Sequence, residues 1–574
     1  MNKVILGINS NHADSSACII VNGKIVAAAE EERFNRVKHW AGFPENAISY
    51  CLEDSGINFK DIEEVAINTN PLSNFGPKIF YFLKNYILGE KKSEILKRYK
   101  NKFNLKFRLK EKFGSNEKLK IRYIDHHLSH ISSAFYPSGF ENCLAVSIDG
   151  FGDFSSLVVA QCSNQKIKII KKLLFPNSLG VFYESMTQLA GFNKYGDEYK
   201  LMGLSAYGEP RYYETLKKNC FINEDIFKLN LKMYEFHKKN FSYNFEGEPN
   251  QKFLLNKDIY KKFDENKDYI LNKNDFAKDI ASSAQKIFEE MLFKIIDQYK
   301  GENENLVLSG GCALNSLANG KLVEKKIFKN IFIPFCPGDN GGCIGAALYL
   351  LKNNYPEIKT ENLKNPYLGK KYNNIEIQNA LDIYKSKINY RLVDNQDELN
   401  DLVCKYLIDE KIIGWFQDRM EFGPRALGNR SIISSPIGPN IKNLINSKIK
   451  LRENFRPFAP SILEESVADW FENHVSSNYM SFVSKIKKNK KNLIPAVTHV
   501  DGTGRLQTIN YNQNKKFYNL IKKFGKISNV PMLLNTSFNE NEPIVMSPEN
   551  ALECYLRTEI DFLVINNFFI NKKN

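Results

Sequence analysis

The chain has 574 residues, 43% of them hydrophobic and 25% charged, a globular balance long enough for two to four domains. No apolar run reaches the roughly 20 residues of a membrane span, and the N-terminal apolar stretch is too short for the core of a signal peptide. Ten cysteines without a CxxC pair exclude a disulfide framework or zinc ribbon, and point to reduced thiols in the cytoplasm. The net charge of +15 invites a nucleic-acid reading, but residues 78–120 alone carry an excess of about +10, and such runs are ordinarily solvated faces.

In chain order, "KVILGINS" reads as a buried strand. "SSACIIVNGKIVAAAEE" reads as a hairpin, because Asn22-Gly23 is the pair that best accommodates the positive φ angles of a type I′ turn. Residues 73–120 are expected to form a basic helical insertion, with a site for an acidic partner as the alternative. The stretch "CLAVSIDGFGDFSSLVVAQCSNQKIKII" then repeats the opening pattern. Ile8 matches Ile148, Asn9 matches Asp149, and Ser15-Ser16 match Ser155-Ser156 at one constant spacing. This predicts a duplicated strand–turn–strand unit whose turn could face phosphate. Residues 210–275 read as a second variable insertion.

Two strand–glycine–helix units follow, around Gly310-Gly311 and around Pro337–Gly342. Glycine lets the backbone approach a ligand closely, and a helix N-terminus offers free N–H groups to an anion. Neither unit matches the P-loop or the dinucleotide fingerprint, so together they indicate a nucleotide-binding α/β domain of another kind. The Asn/Pro/Lys-rich stretch at 355–373 lacks periodicity and marks a boundary. The expected domains are 1–360 and a second α/β unit over 373–574.

Three of the eight histidines fall within five residues, in "DHHLSHISSAFYPS". If this segment opens a helix, His126 and His130 share one face, a spacing that suits two imidazoles on one metal, and His127 points elsewhere. Asp149 ends a strand and Asp339 sits in the second glycine turn. Two imidazoles and two carboxylates would make a mixed site for iron, manganese or zinc; polar residues at a helix start are the alternative. A second cluster holds Arg419, Arg425, Arg430, Arg452 and Arg456, in a chain whose bases are otherwise mostly lysine. Arginine's planar fork grips phosphate or carboxylate in a way lysine cannot; a surface salt-bridge network is the alternative. "TGRLQT" and "LLNTSFNENEPIV" offer hydroxyls and amides for a small polar ligand, or simple turn chemistry.

These segments together resemble the O-carbamoyltransferase family of nodulation-factor and antibiotic biosynthesis. The likeness runs over nearly the whole chain, through "HADSSACIIVNGKIVAAAEEERFNRVKH", "HHLSHISSAF", "SIDGFGD", "GDEYKLMGLSAYGEP", "LSGGCALN", "PGDNGGCIGAAL", "GRLQTI" and "LNTSFNENEPIV". Asp418 departs from the pattern, standing where a glycine before the arginine is usual. The resemblance implies an α/β fold: a duplicated N-terminal domain of the actin–hexokinase superfamily with ribonuclease H-like halves, similar to the tRNA threonylcarbamoyl transferases. The C-terminal domain is similar to the threonylcarbamoyl-adenylate synthases.

Carried onto this sequence, the resemblance implies metal ligation by His126, His130, Asp149 and Asp339, with iron(II) as the ion. Nucleotide contacts would come from Lys200, Gly310, Gly311, Asn315, Gly338 and Asn340. Carbamoyl phosphate would lie near Arg419, Arg425, Lys450, Arg452, Met480, Arg505 and Ser537. His12, oriented by Asp14, is the candidate general base. The implied activity is ATP-dependent carbamoylation of a hydroxyl on a small acceptor through carbamoyl-adenylate. Nucleic acid is not an expected partner, and oligomeric state is open, a homodimer being compatible. The alternatives are a tRNA-modifying enzyme of threonylcarbamoyl type and a catalytically silent nucleotide-binding regulator.

Overall fold

Asn22 and Gly23 both adopt positive φ, 49° and 84°, and close the predicted hairpin. The computed structural model describes residues 3–86, 104–223, 227–238, 246–249, 252–263, 274–361, 365–473 and 475–573. Strands β1 (Val4–Asn9), β2 (Ser16–Val21) and β3 (Lys24–Glu30) form an antiparallel meander. Strands β4 (Glu64–Ile67) and β5 (Lys120–Tyr123) extend it in parallel, giving the order β3-β2-β1-β4-β5.

The second sheet repeats this plan. Strands β6 (Asn142–Gly152), β7 (Ser155–Ser163) and β8 (Lys166–Leu174) form the meander. A small two-stranded sheet intervenes, β9 (Phe221–Asn223) with β10 (Lys228–Leu229). Strands β11 (Asn305–Ser309) and β12 (Asn330–Phe332) then add in parallel, for the order β8-β7-β6-β11-β12. The duplication extends to register. Ile8 pairs with Ala17 and Ile148 with Leu157, Val4 with Val21 and Leu144 with Gln161. The irregularity between Ile19 and Ile20 recurs between Val159 and Ala160. The second hairpin closes on Asn164-Gln165, again with two positive φ angles (47° and 63°), although it lacks glycine.

The basic insertion is helical at both described ends, Phe75–Tyr86 and Leu105–Phe113; residues 87–103 of it lie outside the described residues. The other expected insertion, 210–275, holds β9, β10 and the helix Tyr213–Cys220, and parts of it also lie outside the described residues.

The chain divides into two compact units. One comprises Met1–Glu32, Val37–Ala318 and Lys326–Leu363; the other comprises Arg33–Arg36, Asn319–Lys325 and Lys364–Asn574. The second unit is built on one mixed nine-stranded sheet, ordered β13-β21-β20-β14-β15-β19-β16-β18-β17. Its strands are β13 (Ile388–Leu392), β14 (Ile413–Phe416), β15 (Arg430–Ser434), β16 (Ala459–Leu463), β17 (Phe482–Lys485), β18 (Thr503–Ile509), β19 (Met532–Ser537), β20 (Phe562–Ile565) and β21 (Phe568–Lys572). The helix Lys515–Ser528 shows why the sequence folds here as it does. Asn514 caps its start by accepting from Phe517 N–H, and Asn529 ends it in the left-handed region. Phe517, Leu520, Ile521 and Phe524 fall on one stripe and are buried in the core, each contributing about 1.5–3 kcal/mol.

Candidate metal centre and anion pocket

In the first unit, four donor atoms converge from three elements. The helix His126–Ser138 starts at Asp125, whose carboxylate accepts the N–H groups of His127 (3.1 Å) and Leu128 (3.2 Å). That cap satisfies two of the free amides of a helix start. His126 and His130 then lie one turn apart, with their Nε2 atoms 3.0 Å from each other. Asp149 Oδ2, on β6, is 2.9 Å from His130 Nε2 and 3.5 Å from His126 Nε2. Asp339 Oδ1, at the turn before the helix Gly342–Asn354, is 3.4 Å from both. The four ligand atoms lie within 4.8 Å of one another.

These separations test whether a metal fits. Donors held about 2.1 Å from a common ion stand about 3.0–3.4 Å apart in octahedral or tetrahedral geometry. The separations here, 2.9–3.5 Å, match such a shell. The electrostatics describe a site that attracts positive charge, which a cation could supply in place of the imidazole proton. Burial works against charge on His130, but hydrogen bonds to Asp149 and Asp339 outweigh it and hold the imidazolium up to about 9. Burial likewise opposes ionisation of Asp149, yet its contacts with His126 and His130 keep it well below the usual carboxylate range. Asp339 is also held low, against burial, chiefly by His12. The site holds its carboxylates ionised and gathers positive charge around them.

His127 does point elsewhere. It is buried, with Nδ1 2.8 Å from Ser147 Oγ and Nε2 3.1 Å from the Ser155 carbonyl. Burial pushes it down to about 4, so it is a neutral core histidine.

The expected pairing of His12 with Asp14 needs correction. His12 Nδ1 lies 2.7 Å from Asp339 Oδ2, and its ring centroid is 5.2 Å from that of His126. Asp14, in the left-handed region at φ 56°, instead places Oδ1 2.7 Å from His39 Nδ1. The tight turn after β1 sends the two side chains to different partners. With Glu32, Asp14 and His39 form a second group of nearby donors, which the sequence reading missed.

The glycine turns also differ from expectation. Gly310 N–H donates to the Pro337 carbonyl (2.7 Å), so the two turns meet. Gly310 has φ +84°, and a Cβ there would fall 2.2 Å from the Ile148 carbonyl oxygen, so the backbone itself requires glycine. Gly311 faces Asp149 Oδ1, and Gly338 alone of these is open, with only Asn340 within 4 Å of an added Cβ. Asn340 is tied to the first hairpin through Glu30 (2.8 Å) and Ser16 (2.8 Å). Asn315 exchanges two 3.0 Å hydrogen bonds with Gln285, and Lys200 pairs with Asp197 at 3.0 Å. Thus Gly310, Gly311, Gly338 and Asp339 gather at the metal cluster. Asn315, Asn340 and Lys200 are engaged with protein groups.

In the second unit, Arg505 is partly buried beside Arg425, Arg452 and Arg456. Burial and those three charges depress its guanidinium well below the usual range. Arg452 donates from Nε to Asn446 Oδ1 (2.7 Å) and lies over the Phe458 ring. Lys450 follows a π-helical turn, Ile445–Ile449, and its ammonium is fully buried. It donates to the Ser537 carbonyl (2.5 Å), the Asn539 carbonyl (2.7 Å) and Asn539 Oδ1 (2.8 Å). Burial and Arg452 push it well down. The structure thus joins Lys450 to Ser537, but spends the ammonium's protons on protein oxygens. Met480 is buried in the left-handed region at φ 57°.

One member of the arginine group turns into the protein. Arg430 is fully buried, lies 3.5 Å over the Phe416 ring and donates to the carbonyls of Gln417, Asn429, Lys370 and Asp418. It braces a loop, and no anion is needed to explain it. Arg419 donates to the Leu368 carbonyl (2.8 Å). Asp418 has φ 36°, which explains why glycine is usual there; its strain is offset by Asn566 and Lys516.

The sequence reading also missed what shapes the Arg425 loop. Glu421 Oε1 accepts from the N–H groups of Leu427 (2.6 Å), Asn429 (2.9 Å) and Arg430 (3.3 Å). Gln507 and Asn535 donate to the Leu427 (3.0 Å) and Ala426 (3.3 Å) carbonyls. The amides expected to hold a ligand hold this loop. Glu421 three residues before a Pro-Arg pair was visible, but its return onto the backbone was not.

The duplicated sheets and the second α/β unit, each with its own charged site, define an α/β enzyme of two parts. The chain belongs to the carbamoyltransferase family: residues 4–348 match the carbamoyltransferase N-terminus and residues 404–572 the carbamoyltransferase C-terminus. It is similar to the nodulation protein NolNO of Sinorhizobium fredii, at 34% identity over 98% of this chain and 79% of that protein. It is 33% identical to the nodulation protein NolO of Bradyrhizobium diazoefficiens, over 78% of this chain and 79% of that one. It is 35% identical to the protein sll1178 of Synechocystis, over 99% and 96%. Among solved structures, HypF of T. kodakarensis covers 63% of this chain and 49% of its own at 14% identity, with a TM-score of 0.31.

Proposed function

We propose that this carbamoyltransferase is an ATP-dependent O-carbamoyltransferase that uses carbamoyl phosphate to carbamoylate a hydroxyl of a small molecule, by way of carbamoyl-adenylate. The observation that carries this reading is the gathering of Arg425, Arg452 and Arg456 around the partly buried Arg505. Mutual repulsion among four guanidiniums is relieved by a small dianion, and carbamoyl phosphate is one.

In the second unit, Arg425, Arg452 and Arg505 bind and orient the phosphate. Lys450 keeps Ser537 and Asn539 in place beside it. Water cleaves the O–P bond of carbamoyl phosphate, giving carbamate and inorganic phosphate. The carbamate oxygen then attacks the α-phosphorus of ATP, giving carbamoyl-adenylate and pyrophosphate. In the first unit, the acceptor hydroxyl attacks the carbamoyl carbon and AMP leaves. His12, held by Asp339 and 23% exposed, takes the hydroxyl proton. His126, His130, Asp149 and Asp339 would hold a divalent cation, iron(II) by resemblance, which supplies charge neutralisation at the phosphate. Ten cysteines, none in a disulfide, support a reducing, cytoplasmic location, and no described helix is long and apolar enough to cross a membrane.

The test combines enzyme, ATP, carbamoyl phosphate and cell extract, and looks for a product about 43 mass units heavier than its acceptor, the gain on replacing a hydroxyl hydrogen by carbamoyl. Arg425→Lys is expected to lose pyrophosphate release, and His130→Ala to lose transfer while remaining folded. Unchanged pyrophosphate release in the first variant removes Arg425 from the anion pocket. Full transfer in the second removes the metal assignment.

A further inference from the structure

We propose that Asp153 is a positioning residue for the metal centre: a carboxylate latch that joins the two duplicated halves of the first unit and fixes His126 against Asp149. This rests on the metal reading above. Asp153 lies in the turn between β6 and β7, four residues after the ligand Asp149, and belongs to the second half. Its carboxylate reaches three groups of the first half. Oδ1 accepts from Thr69 Oγ1 (2.7 Å), while Oδ2 accepts from Asn70 N–H (2.7 Å) and from His126 N–H (3.0 Å). Its own carbonyl accepts from Asn74 Nδ2 (2.8 Å).

This arrangement completes the start of the histidine helix. Asp125 takes the N–H groups of His127 and Leu128, and Asp153 takes that of His126. Three orphan amides are thereby satisfied, one of them from across the halves. The backbone conformation shows that the turn is held to this task. Asp153 and Phe154 both have positive φ, 48° and 70°, without being glycine. Gly152 lies so close beneath the His126 ring that an added Cβ would fall 1.9 Å from Cδ2. One turn therefore carries a ligand at Asp149, a seat for the second ligand's ring at Gly152, and an anchor for that ligand's backbone at Asp153. Ligation needs donors from both halves, and Asp153 sets their spacing before any ion arrives. Groups that orient ligands in this way typically govern metal affinity about 10–100-fold.

The test measures Co(II) binding to the metal-free full-length protein, by titration and by the visible ligand-field spectrum of the bound ion. Asp153→Asn keeps the shape but loses the charge and one acceptor oxygen. It is expected to weaken Co(II) about 10–100-fold and to change the spectrum. Thr69→Val, which removes one donor at the surface of the latch, is expected to weaken it less, with Thr69→Ser restoring the wild-type value. A merely structural role would lower the melting temperature of these variants while leaving affinity and spectrum alone, and would overturn the proposal. Failure of the wild type to bind Co(II) would remove the metal reading and this inference together. Wild-type binding with an unchanged Asp153→Asn variant would remove only the inference.

Discussion

Arg430 and Arg425 stand five residues apart in one loop. Arg430 gives its fork to four carbonyls inside the protein, so Arg430→Lys leaves buried acceptors unpaired and is expected to cost about 2–4 kcal/mol in urea unfolding. On the proposed function Arg425 grips a ligand, so Arg425→Lys is expected to leave that unfolding curve within about 0.5 kcal/mol of wild type. His499 gives a second prediction. Burial pushes it down to about 4, while Thr503 Oγ1 lies 3.2 Å from its Nδ1. The unfolded chain therefore binds more protons than the folded one between about pH 4 and 6.5. Stability is expected to fall as pH drops through that window, by about 2–3 kcal/mol from this residue. A His499→Asn variant should show a shallower loss in melts recorded from pH 7 to 4.

At the scale of elements, the turn between β6 and β7 decides whether the histidine helix can present its ligands. Gly152→Ala drives a methyl group into the His126 imidazole and is expected to abolish tight metal binding in a titration. Gly150→Ala, two residues away, meets nothing within 4 Å and should bind as wild type. The paired result separates a seat for His126 from general loosening of the turn. The Arg425 loop makes the same point in the second unit: its shape comes from Glu421, Gln507 and Asn535 gripping its backbone. Those grips were unreadable in sequence because a carboxylate or amide gives no sign of whether it faces a ligand or its own main chain.

At the scale of the molecule, the centre draws His126 and His130 from one half of the duplicated unit and Asp149 and Asp339 from the other. An ion bound there would cross-link the halves and so would stabilise the folded state by mass action. Removing it with a chelator is expected to lower the melting temperature. Readdition at about 100 times Kd should restore roughly 2.7 kcal/mol, seen by calorimetry. The His126→Ala, His130→Ala double variant should show no such response.

Sequence by itself determined the strand and turn chemistry, the duplication and the shared helix face of His126 and His130, because each is a local pattern: Asn-Gly demands positive φ, and an i, i+4 pair shares a helix face. It determined the arginine enrichment as well, since composition survives without coordinates. Only the tertiary structure decided which partners those residues meet. It moved Asp14 from His12 to His39, withdrew Arg430 from the anion pocket, and disclosed Asp153 as a link between halves. The reason is physical: periodicity constrains neighbours along one element, whereas a hydrogen bond between Asp153 and Thr69 depends on two halves folding against each other.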